Sequence, residues 1–333
     1  MSGPPGTPLA WRDWIRSRGL EIGFTSVGIA AAREPDAARE RLLSWLLRGD
    51  HAGMAWMARE PERRADPEAI LPGCRAVISV SLQYHHPDPV PLAPGLPKVS
   101  RYAWGDDYHQ VVGEKLHALL AEVQRLRPDV RSRIACDTSP VMDKAFAAAA
   151  GLGWIGKNTC LIHPRQGSWF FLGSLFVDLE IASDPPVRDL CGSCRRCLDA
   201  CPTGAFPAPY QLDARRCIAY WNIEHRGDLP EPWPAAIGEW MVGCDICQDV
   251  CPWNRKALPS TEPRFRPRPG LADLPAVRWL EFDDAEIRRR IRPTAVSRIK
   301  PPDLRRNARQ VERNRSANLP AAGGEDRGGA NES

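Results

Sequence analysis

No stretch of the 333-residue chain approaches the roughly 18 consecutive apolar residues that a membrane-spanning helix needs, so an integral helical membrane protein is excluded. The opening MSGPPGTPLAWRDW carries Asp13 and has no basic segment leading into an apolar one, so no secretory leader is visible. A cytoplasmic location is the expectation. Lysine is scarce, six of 45 basic residues, which leaves arginine to carry nearly all the positive charge. Residues 187–258 lack periodic hydrophobicity, which argues against a side-chain core there and for another kind of cross-link. Cysteine, by contrast, is abundant. Eleven in a reducing compartment read as metal binding or redox chemistry, not as a disulfide framework.

Hydrophobic period and punctuation divide the chain into four parts. Residues 1–182 alternate helical and strand-like signals: helices over 36–48 (capped by Asp36), 111–126 and 139–150, a buried strand over 76–82, and one long or two short strands over 169–181. This predicts an α/β domain. Residues 183–258 hold eight of the eleven cysteines and read as a small cluster-binding domain. Residues 259–315 open with a Pro/Arg-rich linker and give two short helical signals, around 279–291 and 302–313. The Gly/Ala/Asn-rich residues 316–333 read as a disordered tail. Glu262 to Arg315 carry 15 basic residues against 8 acidic, although the whole chain is only +4.

The cysteine spacing is the sharpest signal. Cys191-x2-Cys194-x2-Cys197-x3-Cys201-Pro202 is the bacterial ferredoxin run, in which the fourth cysteine ligates the other cluster. Cys217 followed by Cys244-x2-Cys247-x3-Cys251-Pro252 supplies the complementary set. By this crossover, Cys191, Cys194, Cys197 and Cys251 hold one [4Fe-4S] cluster, and Cys201, Cys217, Cys244 and Cys247 hold the second. Two zinc sites are the competing reading, but zinc gives no reason for the same spacing closed by proline twice. Cys74, Cys136 and Cys160 are left over as small buried hydrophobes. Two other motifs are decoys. Gly151-x-Gly153-x-x-Gly156 follows a helix where a dinucleotide fingerprint needs a strand, and Asp107-x-His109 lacks the glycine of a cobalt-ligating motif at the right position.

The segments Lys98-Val-Ser-Arg-Tyr-Ala-Trp-Gly-Asp-Asp-Tyr-His109, Cys136-Asp-Thr-Ser-Pro-Val-Met-Asp-Lys144, Gly151-Leu-Gly-Trp-Ile-Gly-Lys-Asn-Thr159 and Gly243-Cys-Asp-Ile-Cys-Gln-Asp-Val-Cys-Pro-Trp-Asn254, in this order around the ferredoxin motifs, resemble the epoxyqueuosine reductase family. The resemblance runs from about residue 10 to 310. It implies an N-terminal α/β cobalamin-binding domain, a two-cluster ferredoxin-like domain and a short all-α HEAT-like C-terminal module. It also implies reduction of the epoxide of epoxyqueuosine in a tRNA anticodon loop, with cobalamin as cob(II)alamin and a low-potential electron donor.

The same resemblance points to Asp137 as the acid, where the bland alternative is a cap on the helix expected to start near Ser139. A desolvated Asp137 is expected to have a raised pKa. Arg59, Ser100, Tyr102, Asp137 and Asp245 become the candidates for holding cobalamin. Arg298, Lys300, Arg305 and Arg306 are the candidates for phosphate contacts, with Trp221 and His225 lining the entry of a splayed nucleotide. A departure follows Leu304-Arg-Arg-Asn-Ala308, where the sequence turns polar and predicts a short final helix. A monomer is expected. The other readings weighed are a reductive dehalogenase, disfavoured by the missing leader and the basic C-terminal segment, and an electron-carrier subunit without cobalamin.

Overall fold

The computed structural model describes residues 4–35, 37–86 and 96–318. Helix α1 (Pro8–Ile22) starts where Thr7 accepts the Ala10 N–H and proline occupies the first turn, and it stops at Gly23, whose φ of 102° ends the helix in a left-handed turn. Strand β1 (Ser26–Ala31), α2 (Ala38–Leu47), β2 (Ala76–Gln83), α3 (Tyr108–Leu126), β3 (Ser132–Ala135), α4 (Asp143–Ala149) and β4 (Phe170–Val177) follow. The strands form one sheet in the order β1-β2-β4-β3, and every neighbouring pair is antiparallel.

Helices cover both faces of this sheet. Trp11 and Ile15 of α1 and Val112, Leu116 and Leu119 of α3 pack with Ile78, Val80 and Leu82 on one side. Phe146 of α4 packs with Val77 and Phe176 on the other. Strand β2 is therefore buried along its whole length, which is why AVISVSL reads as a continuous apolar run. Gly28 of β1 is required by this layering, because a Cβ there would lie 2.1 Å from the Ala150 carbonyl oxygen.

Several local expectations shift. The helix expected over 36–48 is Ala38–Leu47, and Asp36 lies outside the described residues. The signal over 169–181 is the single strand β4. Helix α4 starts at Asp143, not Ser139, after an uncapped Met142, so Asp137 is not a helix cap.

The cysteine-rich segment is tied to the sheet domain through Asp184, which accepts from the Ile29 N–H at 2.9 Å and from Arg16 at 2.6 Å. Beyond it come α5 (Ala276–Glu281), α6 (Asp284–Ile291) and α7 (Pro301–Asn318). Their core joins Trp279, Ile287, Leu304, Ala308 and Val311 to Val99, Trp104, Met241 and Val242 from earlier segments. The expectation of a short polar final helix is overturned. Helix α7 runs 18 residues and includes Ser316–Asn318 of the expected tail, because Leu304, Ala308 and Val311 repeat at helical spacing and are fully buried amid its arginines. The rest of that tail lies outside the described residues.

Candidate active site

Asp107 caps α3 by accepting the His109 N–H at 3.0 Å, and this fixes the first turn of the helix at the edge of the sheet. Tyr108 is pinned between Phe171 and His109, with ring centroids 4.1 Å away on each side. The His109 imidazole then bridges two carboxylates: Nδ1 lies 2.6 Å from Asp107 Oδ1, and Nε2 lies 3.1 Å from Asp137 Oδ2. Asp137 follows β3 in the loop before α4 with a φ of 54°, a left-handed conformation that costs a non-glycine residue on the order of 1 kcal/mol or more. Its side chain is 58% exposed, so the carboxyl is aimed outward at the end of this relay.

The electrostatics assign the protons. Burial alone would lower the His109 pKa, but the hydrogen bonds and charges of Asp107 and Asp137 overcome it and raise the imidazole to about 9. Desolvation would raise Asp137, yet the hydrogen bond and charge of His109, the Tyr108 hydroxyl and Arg298 bring it below the ordinary carboxylate value. The raised pKa expected for Asp137 is thus not present in the free protein. The proton sits on His109. In the sequence His109 stands only in a motif that lacks the cobalt-ligating glycine, and nothing local reveals Asp137 as its partner.

Arg298 stands beside this group. It makes a bidentate pair with Glu224 at 2.6 and 2.7 Å and lies 5.6 Å over the Trp56 ring. Tyr102, half-buried, feels the charges of Glu224, Asp245 and Asp137, which places it on the same side. Arg59 is exposed at the end of the turn that carries Trp56 and has no carboxylate partner among the described residues.

Ser100 and Asp245 are committed to each other. The Ser100 hydroxyl donates to Asp245, whose other oxygen accepts from the Arg101 N–H at 2.9 Å, and Asp245 is 1% exposed. Their side chains clamp the 98–104 segment to the cysteine-rich domain. Arg306 is likewise spent, since its guanidinium donates to the carbonyls of Trp221, His225 and Gly227 and its side chain is 10% exposed. Arg305 donates to Asp284 and to the Phe282 carbonyl. Trp221 is 8% exposed, packs on Trp233 and donates to the Arg215 carbonyl, so it offers no face to a nucleotide. The sequence supplied the right residue types here without saying which were already engaged. His225 stays partly open, with Nε2 near the Asp228 carbonyl, and Lys300 is exposed with no carboxylate partner among the described residues.

Cys191, Cys194, Cys197 and Cys251 line one small cavity. Cys244, Cys217, Cys201 and Cys247 lie within electrostatic reach of one another as a second group. No three His, Cys, Asp or Glu side chains among the described residues are close enough to hold a single ion. Thiols spread around a cavity suit a cubane, whose four corners are separate irons, better than one tetrahedral zinc.

The glycine-rich 151–160 segment braces these motifs. Lys157 Nζ donates to the carbonyls of Gly192 and Cys194 at 2.6 and 2.9 Å, and the Trp154 indole N–H points at Cys191 Sγ from 3.4 Å. Cys160, expected to be a mere filler, lies in hydrogen-bond contact with Cys247.

A sheet domain carrying a proton-loaded carboxylate relay, joined to a double four-cysteine set, defines an iron–sulfur oxidoreductase. Residues 190–254 match the family described as a 4Fe-4S double cluster binding domain, and residues 64–138 match that described as epoxyqueuosine reductase QueG, DUF1730. The epoxyqueuosine reductase of Synechococcus sp. (strain CC9605) is 46% identical over 88% of this chain and 92% of its own length, and that of Xanthomonas campestris is 40% identical over 90% and 84%. The chain belongs to the epoxyqueuosine reductase family. Among solved structures, the Streptococcus thermophilus enzyme superposes with a TM-score of 0.83 at 30% identity over 90% of this chain and 80% of its own. An epoxyqueuosine reductase bound to an epoxyqueuosine-modified tRNA-Tyr stem loop gives 0.82 at 29% over 91% and 81%.

Proposed function

We propose that this chain reduces the epoxide of epoxyqueuosine at the wobble position of tRNA to the alkene of queuosine, with cobalamin as reductant, two [4Fe-4S] clusters as its electron supply and Asp137 as proton donor. The overall change takes two electrons and two protons and expels the epoxide oxygen as water. The family membership supports the reaction, and the relative captured with a modified stem loop supports tRNA as the substrate.

The observation that carries the assignment of the acid is the Asp107–His109–Asp137 chain. Asp137 is aimed outward in a strained loop with a protonated imidazole behind it, so each proton it gives up is replaced from His109. Asp107 holds the ring in place. Desolvation by a bound nucleoside raises the Asp137 pKa and draws the proton across.

The surroundings fit cobalamin. Both His109 nitrogens are taken by carboxylates, so its imidazole keeps no lone pair for cobalt, consistent with a corrin held without a protein ligand. Trp56, Arg59 and Tyr102 offer the aromatic and cationic surface for the macrocycle and its phosphate-bearing tail. When bound, cobalamin supplies a cobalt centre that takes up electrons singly and delivers them as a pair. Lys300, Arg298, which stays 43% exposed although paired with Glu224, and His225 at the rim are the candidates we assign to tRNA contact. The protein acts as a cytoplasmic monomer served by a low-potential donor.

The test is anaerobic turnover of epoxyqueuosine-containing tRNA by Asp137→Asn. Turnover is expected to vanish while cluster and cobalamin absorbance are retained, and undiminished turnover removes Asp137 from the mechanism.

A further inference from the structure

The two cluster motifs meet at the surface. The helical turns Arg196–Asp199 and Ile246–Asp249, one from each motif, pack side by side and leave an open cleft of about 500 Å³ lined by Arg196, Asp199, Ala200, Asp249, Val250 and Arg255. Ala200 and Val250 on its floor directly precede Cys201 and Cys251, the two crossing ligands. Both cluster positions therefore lie just behind this floor. Arg196 lines the cleft and also the cavity of Cys191, Cys194, Cys197 and Cys251, so one side chain reaches from solvent to that site.

The charges in the cleft are unbalanced. Asp199 is answered by Arg195 at 3.6 Å and Asp249 by Arg101 at 2.6 Å. Arg196, Arg255 and the adjacent Lys256 are exposed, and none has a carboxylate partner among the described residues. Unpaired cations gathered over a redox centre cost solvation if covered by a neutral surface and reward an acidic one. A small, weakly bound redox interface steered by charge is the usual form of a transient electron-transfer contact.

We infer that this cleft is the docking surface for an acidic one-electron carrier protein. The carrier is oxidised by one electron and the cluster behind the cleft is reduced by one, and two such encounters supply one epoxide reduction. This rests on reading the eight cysteines as two clusters.

The test uses the full chain with reconstituted clusters, reduced flavodoxin as the acidic carrier, and dithionite as a small reductant that needs no docking. In the double variant Arg255→Glu, Lys256→Glu, the rate of cluster bleaching by flavodoxin is expected to fall on the order of tenfold at low salt and to lose most of its salt dependence. Bleaching by dithionite and affinity for tRNA stay as in the parent protein. Asp199→Lys is expected to move the flavodoxin rate the other way. An unchanged flavodoxin rate in the double variant, a salt-insensitive rate in the parent, or a loss confined to tRNA affinity overturns the inference while the clusters stand. A parent protein with no cluster absorbance removes the cluster reading, and the inference with it.

Discussion

The proton assignment at the active site makes a quantitative prediction for Asp107→Asn. Asparagine still caps α3, so the helix start is preserved and only the carboxylate 2.6 Å from His109 Nδ1 is lost. In the parent protein His109 titrates at about 9 against an ordinary value of 6.5, a rise shared between Asp107 and Asp137. Asp107 is the nearer and less exposed partner, so its removal takes away roughly half of that rise or more, about 1 to 1.5 units. The direction follows from the sign of the shift. A raised pKa keeps His109 charged through neutrality and releases its proton only as the pH climbs toward the raised value.

At pH 8 the imidazole is ~90% protonated in the parent protein and ~25–50% in the variant, whereas at pH 6.5 both are nearly saturated. The assay is kcat/KM for epoxyqueuosine-containing stem loop between pH 6 and 10, because that parameter reports ionisations of the free enzyme. The alkaline limb is expected near 9 in the parent and about a unit or more lower in the variant, with a roughly two- to fourfold loss at pH 8 and little at pH 6.5. An alkaline limb that stays in place in Asp107→Asn refutes the relay, as does a uniform loss at every pH.

Two further outcomes test other parts of the structure. Cys251→Ala is expected to remove about half the iron and to leave the same residual paramagnetic signal as Cys191→Ala, with Cys201→Ala leaving the other signal; matching signals for Cys251→Ala and Cys244→Ala would mean each motif holds its own cluster. Leu304→Ala, at a fully buried position of α7, is expected to cost ~2–5 kcal/mol in chemical denaturation, and a loss under ~1 kcal/mol would show that the last helix does not anchor the C-terminal core.

How much was legible beforehand depended on range. Cluster ligation is written in spacings of two and three residues, because a ligand run must wrap within a few residues of its cubane, so a double-cluster domain was readable from the chain. The buried run of β2 and the helical period of α3 were readable for the same reason. Strand direction was not. Helices alternating with strands suggested an α/β chain, while the pairing of β2 with β1 and β4, all antiparallel, is decided by contacts up to about a hundred residues apart in sequence.

The sequence by itself named the candidate side chains for redox and acid chemistry: the cysteine set, Asp137 and a surplus of arginine. Only the tertiary structure decided which of them are free to act. It brought His109 to Asp137 across 28 residues, locked Ser100 to Asp245 across 145, and turned Arg306 inward onto backbone carbonyls. The physical reason is that a polar group's availability depends on whether folding has already supplied it with a partner, and those partners came from remote segments that no local pattern names.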